Sequence, residues 1–267
     1  MSGPAVDRYP VATMPSLNPD VDPARPTGRR RIGLGAIGLA LVLGLGSALA
    51  GGPQPAQAAR AYEFDLYRPG DFVSQTNLVQ CVGASMQMMI NLVSAQDDRS
   101  AATQRRLWQL ARELGPPRPP DRPPSRGASV QGWAAGLNQL DKGPYAVVGY
   151  PSLADALHTA ARAIRRTGRP VGLLVWGGRH AWVMSGFRAT ADPAVTDDFR
   201  VTHAIVLDPL YPLHSIAWGR SPAPGSSLTP ARLGHFFVPR RPGWSGVLAG
   251  TWVIVQPVDP RLRPRLR

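Results

Sequence analysis

The hydrophobic pattern of the chain changes near residue 170, and this change constrains the fold more than any other feature. Apolar residues recur at helical spacing before it, in residues 81–93, 101–114, 130–140 and 153–166, with one strand candidate at 145–149 among them. After it come short apolar or alternating runs separated by Gly, Pro and Asp, at residues 171–176, 181–187, 201–207 and 251–255. Helices followed by strands predict an α+β domain with N-terminal helices packed on a C-terminal antiparallel sheet.

The N-terminal segment predicts export. Residues 32–50 are uncharged and apolar and directly follow three arginines, an arrangement typical of an export segment with its positive charge kept inside. Ala56-Gln57-Ala58 fits a small-x-small cleavage site. Residues 32–58 therefore predict a signal peptide, or a membrane anchor through 32–50 if it is not cleaved, and the protein is expected to be secreted or on the cell surface.

The rest of the chain divides around this segment. Residues 1–31, rich in Pro and small residues, predict a disordered cytoplasmic lead. The folded domain is predicted over 61–258, long enough for one core, and residues 259–267 form a basic tail. The net charge of +13 comes almost wholly from arginines that are scattered and not interleaved with aromatic residues. No nucleic-acid partner is predicted on these criteria.

Cys81 is the one cysteine of the sequence, so no intramolecular disulfide is possible. A lone cysteine is often a small buried apolar residue. Here it stands where a helix is predicted to begin, and a helix N-terminus favours the thiolate, which is the form that attacks carbonyls. Gln75 lies six residues upstream, within reach of an oxyanion forming beside Cys81. The pattern favours a nucleophile.

Two downstream residues complete a candidate set. His180 and Asp208 both occur at predicted strands, and each also has an ordinary interpretation, His180 as the end of a loop and Asp208 as a turn residue before Pro209. The remaining histidines are dispersed, and with one cysteine they lack metal-site spacing. Neither a metal nor a cofactor is predicted.

These motifs resemble the papain-like cysteine peptidases of the bacteriocin-processing type (cysteine peptidase family 39 and its relatives). The resemblance covers residues 72–209 and rests on three motifs in order: Gln75 and Cys81 before Gly83-Ala84, then residues 177–183 around His180, then residues 206–209 around Asp208. It implies a nucleophile helix packed against an antiparallel sheet that carries the histidine and the orienting acid. Between His180 and Asp208 the polar stretch 189–198 makes a longer gap than this family pattern leads us to expect.

The resemblance implies a Cys81–His180–Asp208 triad that cleaves peptide or amide bonds through an acyl-enzyme, with Gln75 stabilising the oxyanion. The expected partner is a peptide or protein substrate. Two alternatives stay open. The first is a catalytically inactive binding module with the same fold and an inert Cys81, and the second is an amide transferase that passes the acyl group to an amine. No oligomeric state is predicted.

Overall fold

The structure is a computed structural model that describes residues 61–117, 126–242 and 246–259. The predicted lead 1–31 and export segment 32–58 lie outside these residues, as does the basic tail apart from Asp259. Among the described residues, no helix combines the length and the apolar character needed to cross a bilayer.

The described residues form five α-helices and nine strands. The helices are α1 (Cys81–Ser94), α2 (Ala101–Glu113), α3 (Val130–Gln139), α4 (Leu153–Thr167) and α5 (Pro230–Gly234). The strands are β1 (Tyr62–Asp65), β2 (Tyr145–Tyr150), β3 (Val171–Val175), β4 (His180–Ala189), β5 (Val201–Leu207), β6 (His214–Ser215), β7 (Gly219–Arg220), β8 (Ser226–Leu228) and β9 (Trp252–Pro257).

Seven strands form one antiparallel sheet in the order β2-β9-β3-β4-β5-β8, with β1 paired to β4. The α+β prediction is confirmed, and the five strands predicted from the pattern lie within two residues of their predicted bounds. The sequence reasoning missed β1 and β8, which have four and three residues. Runs this short carry too few side chains to display a period.

Helices cover both faces of the sheet. Along β4 the side chains alternate, so Ala181 and Val183 pack with α1, α2 and α3, whereas Trp182 and Met184 pack with α4. Each face therefore has its own apolar core. The predicted packing of helices on the sheet is confirmed, with α4 on the face opposite α1.

The α1–α2 contact depends on a glycine near the start of α1. A Cβ at Gly83 would lie 2.6 Å from the Gln104 carbonyl oxygen and 2.9 Å from Trp108 Cβ, both in α2. Because the first of these atoms belongs to the backbone, a side chain at this position would push the two helices apart. Gly83 thus sets how closely α2 approaches the first turn of α1.

We expect Gly83→Ala to lower the free energy of unfolding by about 1–3 kcal/mol, because overpacking at a helix contact displaces backbone. Urea unfolding followed by circular dichroism measures the change. Gly246→Ala is the matched control, since nothing lies within 4 Å of a Cβ built there. Equal stability of the two variants would contradict this account of the helix contact.

Candidate active site

Helix α1 begins at Cys81, as the sequence predicts. The thiol is partly exposed, and the residue before it, Gln80, is the N-cap. The amide N–H groups of a first helical turn have no acceptor within the helix. The N–H of Cys81 is therefore available to a negatively charged oxygen next to the sulfur.

A buried hydrogen bond fixes α1 on the sheet beside His180. Ser85 lies one turn after Cys81, and its hydroxyl donates to the Ala181 carbonyl over 3.2 Å. Ala181 directly follows His180 at the start of β4. Because residues four apart lie on the same side of a helix, this bond brings the Cys81 side of α1 alongside His180.

A strained turn presents His180. Between β3 and β4, Trp176, Gly177 and Gly178 have φ values of 58°, 64° and 101°. The backbone N–H of Trp176 donates to the Phe236 carbonyl over 2.8 Å, and the backbone N–H of Arg241 donates to the Gly177 carbonyl over 3.2 Å. A left-handed conformation at a bulky residue costs about 1–3 kcal/mol, so it persists only where surrounding contacts hold it.

The register of the sheet brings Asp208 to His180. Strands β4 and β5 are antiparallel, with Val183 opposite Leu207, so Asp208 leaves β5 at the end where β4 begins. The long polar gap of the sequence lies at the other end of these strands, where its length does not affect the site. His180 Nε2 and Asp208 Oδ1 are 2.7 Å apart, and the Leu210 N–H also donates to Oδ1.

Both other members of the predicted triad influence the pKa of the His180 imidazole. Burial lowers the pKa of His180, but hydrogen bonds to Asp208 and Cys81 and the negative charges of those groups outweigh burial and raise the pKa to about 9. Since Asp208 occupies Nε2, Nδ1 is the ring nitrogen left for the thiol. The structure therefore brings Cys81, His180 and Asp208 together, in the order that a nucleophile, a base and an orienting acid require.

The backbone of Gln75 lies close to Asp208. Its N–H donates to the carbonyl of Pro209, which directly follows Asp208. Its side-chain Nε2 donates to the Asn77 carbonyl over 2.9 Å, and its buried Oε1 has no hydrogen-bond partner among the described residues. The Asn77 carbonyl accepts from one of the two Nε2 hydrogens, and the oxyanion role of Gln75 stays a prediction.

Gln104, which the sequence does not predict as a site residue, holds the loop before Cys81. Gln104 is buried in α2; its Oε1 accepts from the Thr76 N–H over 2.7 Å, and its Nε2 donates to the Ser74 carbonyl over 3.0 Å. The signal was present, because Gln104 lies on the helical face of Leu107 and Ala111. A polar residue within an apolar stripe requires a buried partner.

Strand β3 ends at Val175, so Trp176 lies outside the strand that the sequence predicts over 171–176. It lies in the turn, and its ring stacks on the His180 imidazole with centroids 4.1 Å apart and planes at 25°. Its position before two glycines and the histidine was the available signal. One face of the imidazole is therefore covered by an indole.

Two surface depressions lie elsewhere on the protein. They have volumes of about 290 and 520 Å³ and involve α1, α2 and the ends of α3 and α4, and neither is lined by Cys81, His180 or Asp208. Within the part of the chain that the structure describes, no group of three or more His, Cys, Asp or Glu residues is placed to hold a metal ion.

No family model and no curated protein sequence matches this chain. Among solved structures, a crystal structure of UfSP from C. elegans is similar, with 17% sequence identity and a TM-score of 0.39. The match covers 70% of this chain and 32% of that chain, so this chain spans about a third of the length of UfSP.

The raised pKa of His180 predicts how stability depends on pH. An unfolded histidine has a pKa of about 6.5, so between that value and about 9 the folded state binds more protons than the unfolded state. The contribution of this group is complete below pH 6.5 and is lost as the pH rises through 9. Urea unfolding from pH 6 to 9.5 should show this decrease.

Asp208→Asn is the informative variant for that prediction. Removing the carboxylate should lower the pKa of His180, since its hydrogen bond to Asp208 is the largest contribution that raises it. The pH-dependent decrease should then become smaller and end at a lower pH, because it still begins near the unfolded pKa of about 6.5, and NMR titration of the imidazole gives the pKa directly. The same pH profile and the same His180 pKa in both proteins would contradict the assignment.

Proposed function

We propose that this protein is an exported thiol hydrolase that cleaves peptide or amide bonds through Cys81, His180 and Asp208. One observation carries the proposal: the buried imidazole of His180 lies 2.7 Å from the buried carboxylate of Asp208, and hydrogen bonding to Cys81 is among the causes that raise its pKa to about 9. A nucleophile at a helix start, a base in contact with it and an acid that orients the base form the arrangement of thiol-dependent acyl transfer.

Acylation follows from this arrangement. His180 takes the thiol proton at Nδ1, and the Cys81 sulfur attacks the substrate carbonyl carbon to form a carbon–sulfur bond. The oxygen becomes negatively charged and accepts from the Cys81 N–H and, in our proposal, from a reoriented Gln75 amide. The carbon–nitrogen bond then breaks, and the leaving nitrogen receives the proton from His180.

Deacylation reverses these roles with water. His180 takes a proton from water while the water oxygen attacks the thioester carbon. The carbon–sulfur bond breaks, the acid product leaves, and the proton returns to the Cys81–His180 pair. Asp208 keeps its bond to Nε2 throughout, which fixes the ring tautomer and stabilises the protonated imidazole.

The proposed location rests on the N-terminal sequence. Uncharged residues 32–50 after three arginines, with a small-x-small site at 56–58, support export with cleavage or retention as an anchor. Export would bring the protein to its proposed peptide or protein substrate outside the cytoplasm.

A thiol-directed probe tests the nucleophile. An isolated thiol with a pKa of about 8.5 is almost wholly protonated at pH 5.5 and reacts very slowly. If Cys81 is activated by His180, iodoacetamide should alkylate the wild-type protein at this pH at least about tenfold faster than the His180→Ala variant. Mass spectrometry of the modified peptide measures the rate at Cys81.

Suitable controls and outcomes separate the alternatives. His203→Ala is the matched histidine control, because His203 lies on β5 and its ring contacts Thr202. Equal and slow alkylation of all three proteins would favour an inert binding module over a hydrolase. If Cys81 is reactive, peptide products of the wild type and of Cys81→Ala, analysed with and without an added amine, separate hydrolysis from transfer.

Gln75→Ala tests the oxyanion donor. Loss of a comparable donor costs about 2.7–4 kcal/mol, so turnover should fall on the order of a hundredfold or more while alkylation of Cys81 remains fast. Gln96→Ala is the control, since Gln96 is exposed beyond the far end of α1. Turnover of Gln75→Ala within about threefold of wild type would contradict an oxyanion role for this side chain.

A further inference from the structure

A line of aromatic side chains leads away from the imidazole. Trp176 stacks on His180, and Trp218 lies parallel to Trp176, with ring centroids 6.2 Å apart and planes at 2°. Both tryptophans are half-buried, so each residue is partly accessible to solvent. An aromatic surface therefore begins at the proposed base and continues outward.

The outer end of this surface is a short hairpin that follows Asp208. Trp218 lies between β6 and β7, and its backbone N–H donates to the Ser215 hydroxyl over 3.2 Å. Two residues earlier, Ile216 is 85% exposed. The hairpin, residues 213–220, contains no carboxylate. It therefore presents apolar groups to solvent next to the candidate site.

The surface is supported from behind. His235 contacts the Trp218 ring edge to face at 6.1 Å, and Phe236 contacts His235 in the same way at 4.9 Å. Phe236 is buried and packs on Trp182, which belongs to the core of the sheet. A surface held by such contacts is formed before any ligand binds, which reduces the entropic cost of binding.

We infer that Trp176, Trp218 and Ile216 form a substrate-binding surface, the aromatic wall, that receives an apolar side chain of the substrate. This inference rests on the proposed function and names the substrate class of the same site. Exposed large apolar groups that are contiguous and adjoin a reactive centre are typical of ligand-binding sites. Aromatic rings favour aromatic and aliphatic partners through both burial and ring geometry.

The chemistry gives the side of the substrate that the wall contacts. In acylation His180 passes its proton to the leaving nitrogen, so the leaving group lies on the imidazole side of the sulfur. The aromatic wall begins at that imidazole. The preferred apolar side chain therefore belongs to the residue that directly follows the cleaved bond.

The first experiment needs no turnover. Cys81 of the full chain is alkylated with chloroacetamide and with N-benzyl-2-chloroacetamide, and the measured ratio is the rate with the benzyl reagent divided by the rate with chloroacetamide. The same ratio measured on glutathione gives the intrinsic reactivity of the two reagents. In the wild type the ratio should exceed that of glutathione by about three- to tenfold, as expected for one aromatic contact. Trp218→Ala should bring the ratio to within about twofold of glutathione.

Ile216→Ser provides a second variant at an exposed position, where the substitution leaves the packed core unchanged, and it should lower the same ratio. Val195→Ser is its matched control, since Val195 is 84% exposed and Ile216 is 85% exposed. Val195 follows the end of β4 opposite His180, and a ten-residue strand spans about 33 Å. A wild-type ratio equal to that of glutathione, or ratios unchanged in both wall variants, would overturn the inference.

The second experiment uses a mixture of peptides with varied residues after the cleaved bond. The wild type and Val195→Ser should cleave preferentially before apolar residues, and Trp218→Ala should lose this preference. A preference unchanged in Trp218→Ala would contradict the assigned side. If no peptide is cleaved by wild type while the alkylation ratio is raised, the proposed hydrolysis fails and the binding surface stands.

Discussion

The hydrogen bond between His180 and Asp208 is the interaction on which the candidate site depends. His180 is 4% exposed and Asp208 is fully buried, so each would be costly to place there without the other. The bond joins the start of β4 to the end of β5, and the antiparallel register of these strands determines its length. The sheet thus fixes the geometry of the His180–Asp208 pair, and the start of α1 adds the Cys81 thiol.

Cys81 is held beside this pair by two independent supports. Ser85 bonds α1 to the Ala181 carbonyl, and Gln104 in α2 bonds the backbone at Ser74 and Thr76, in the loop that precedes Cys81. The same loop is tied by the Gln75 N–H to Pro209, directly after the acid. Because both α2 and the segment after β5 hold this loop, the start of α1 is fixed relative to the sheet on both sides.

The turn before His180 combines backbone strain with aromatic contact. Trp176 adopts φ of 58°, held by the Phe236 carbonyl, and this conformation lays its ring over the imidazole. The imidazole is consequently bounded by an indole, a carboxylate and a thiol. Strain at such a residue is tolerated where the neighbouring structure holds it, which accords with its position at the proposed catalytic base and at the origin of the aromatic wall.

The sequence by itself determined the α+β class and the five principal strands and identified Cys81, His180 and Asp208 as candidates, because period and residue type are local properties. Only the tertiary structure decided that Asp208 meets His180 across a long polar gap, that the Gln75 amide turns to Asn77, and that Trp176 lies in a turn. The contacts of Gln104 and Trp218 are likewise visible only in the tertiary structure. These features depend on strand register and on bonds between residues up to 134 positions apart, as between Gln75 and Pro209, which no local pattern records.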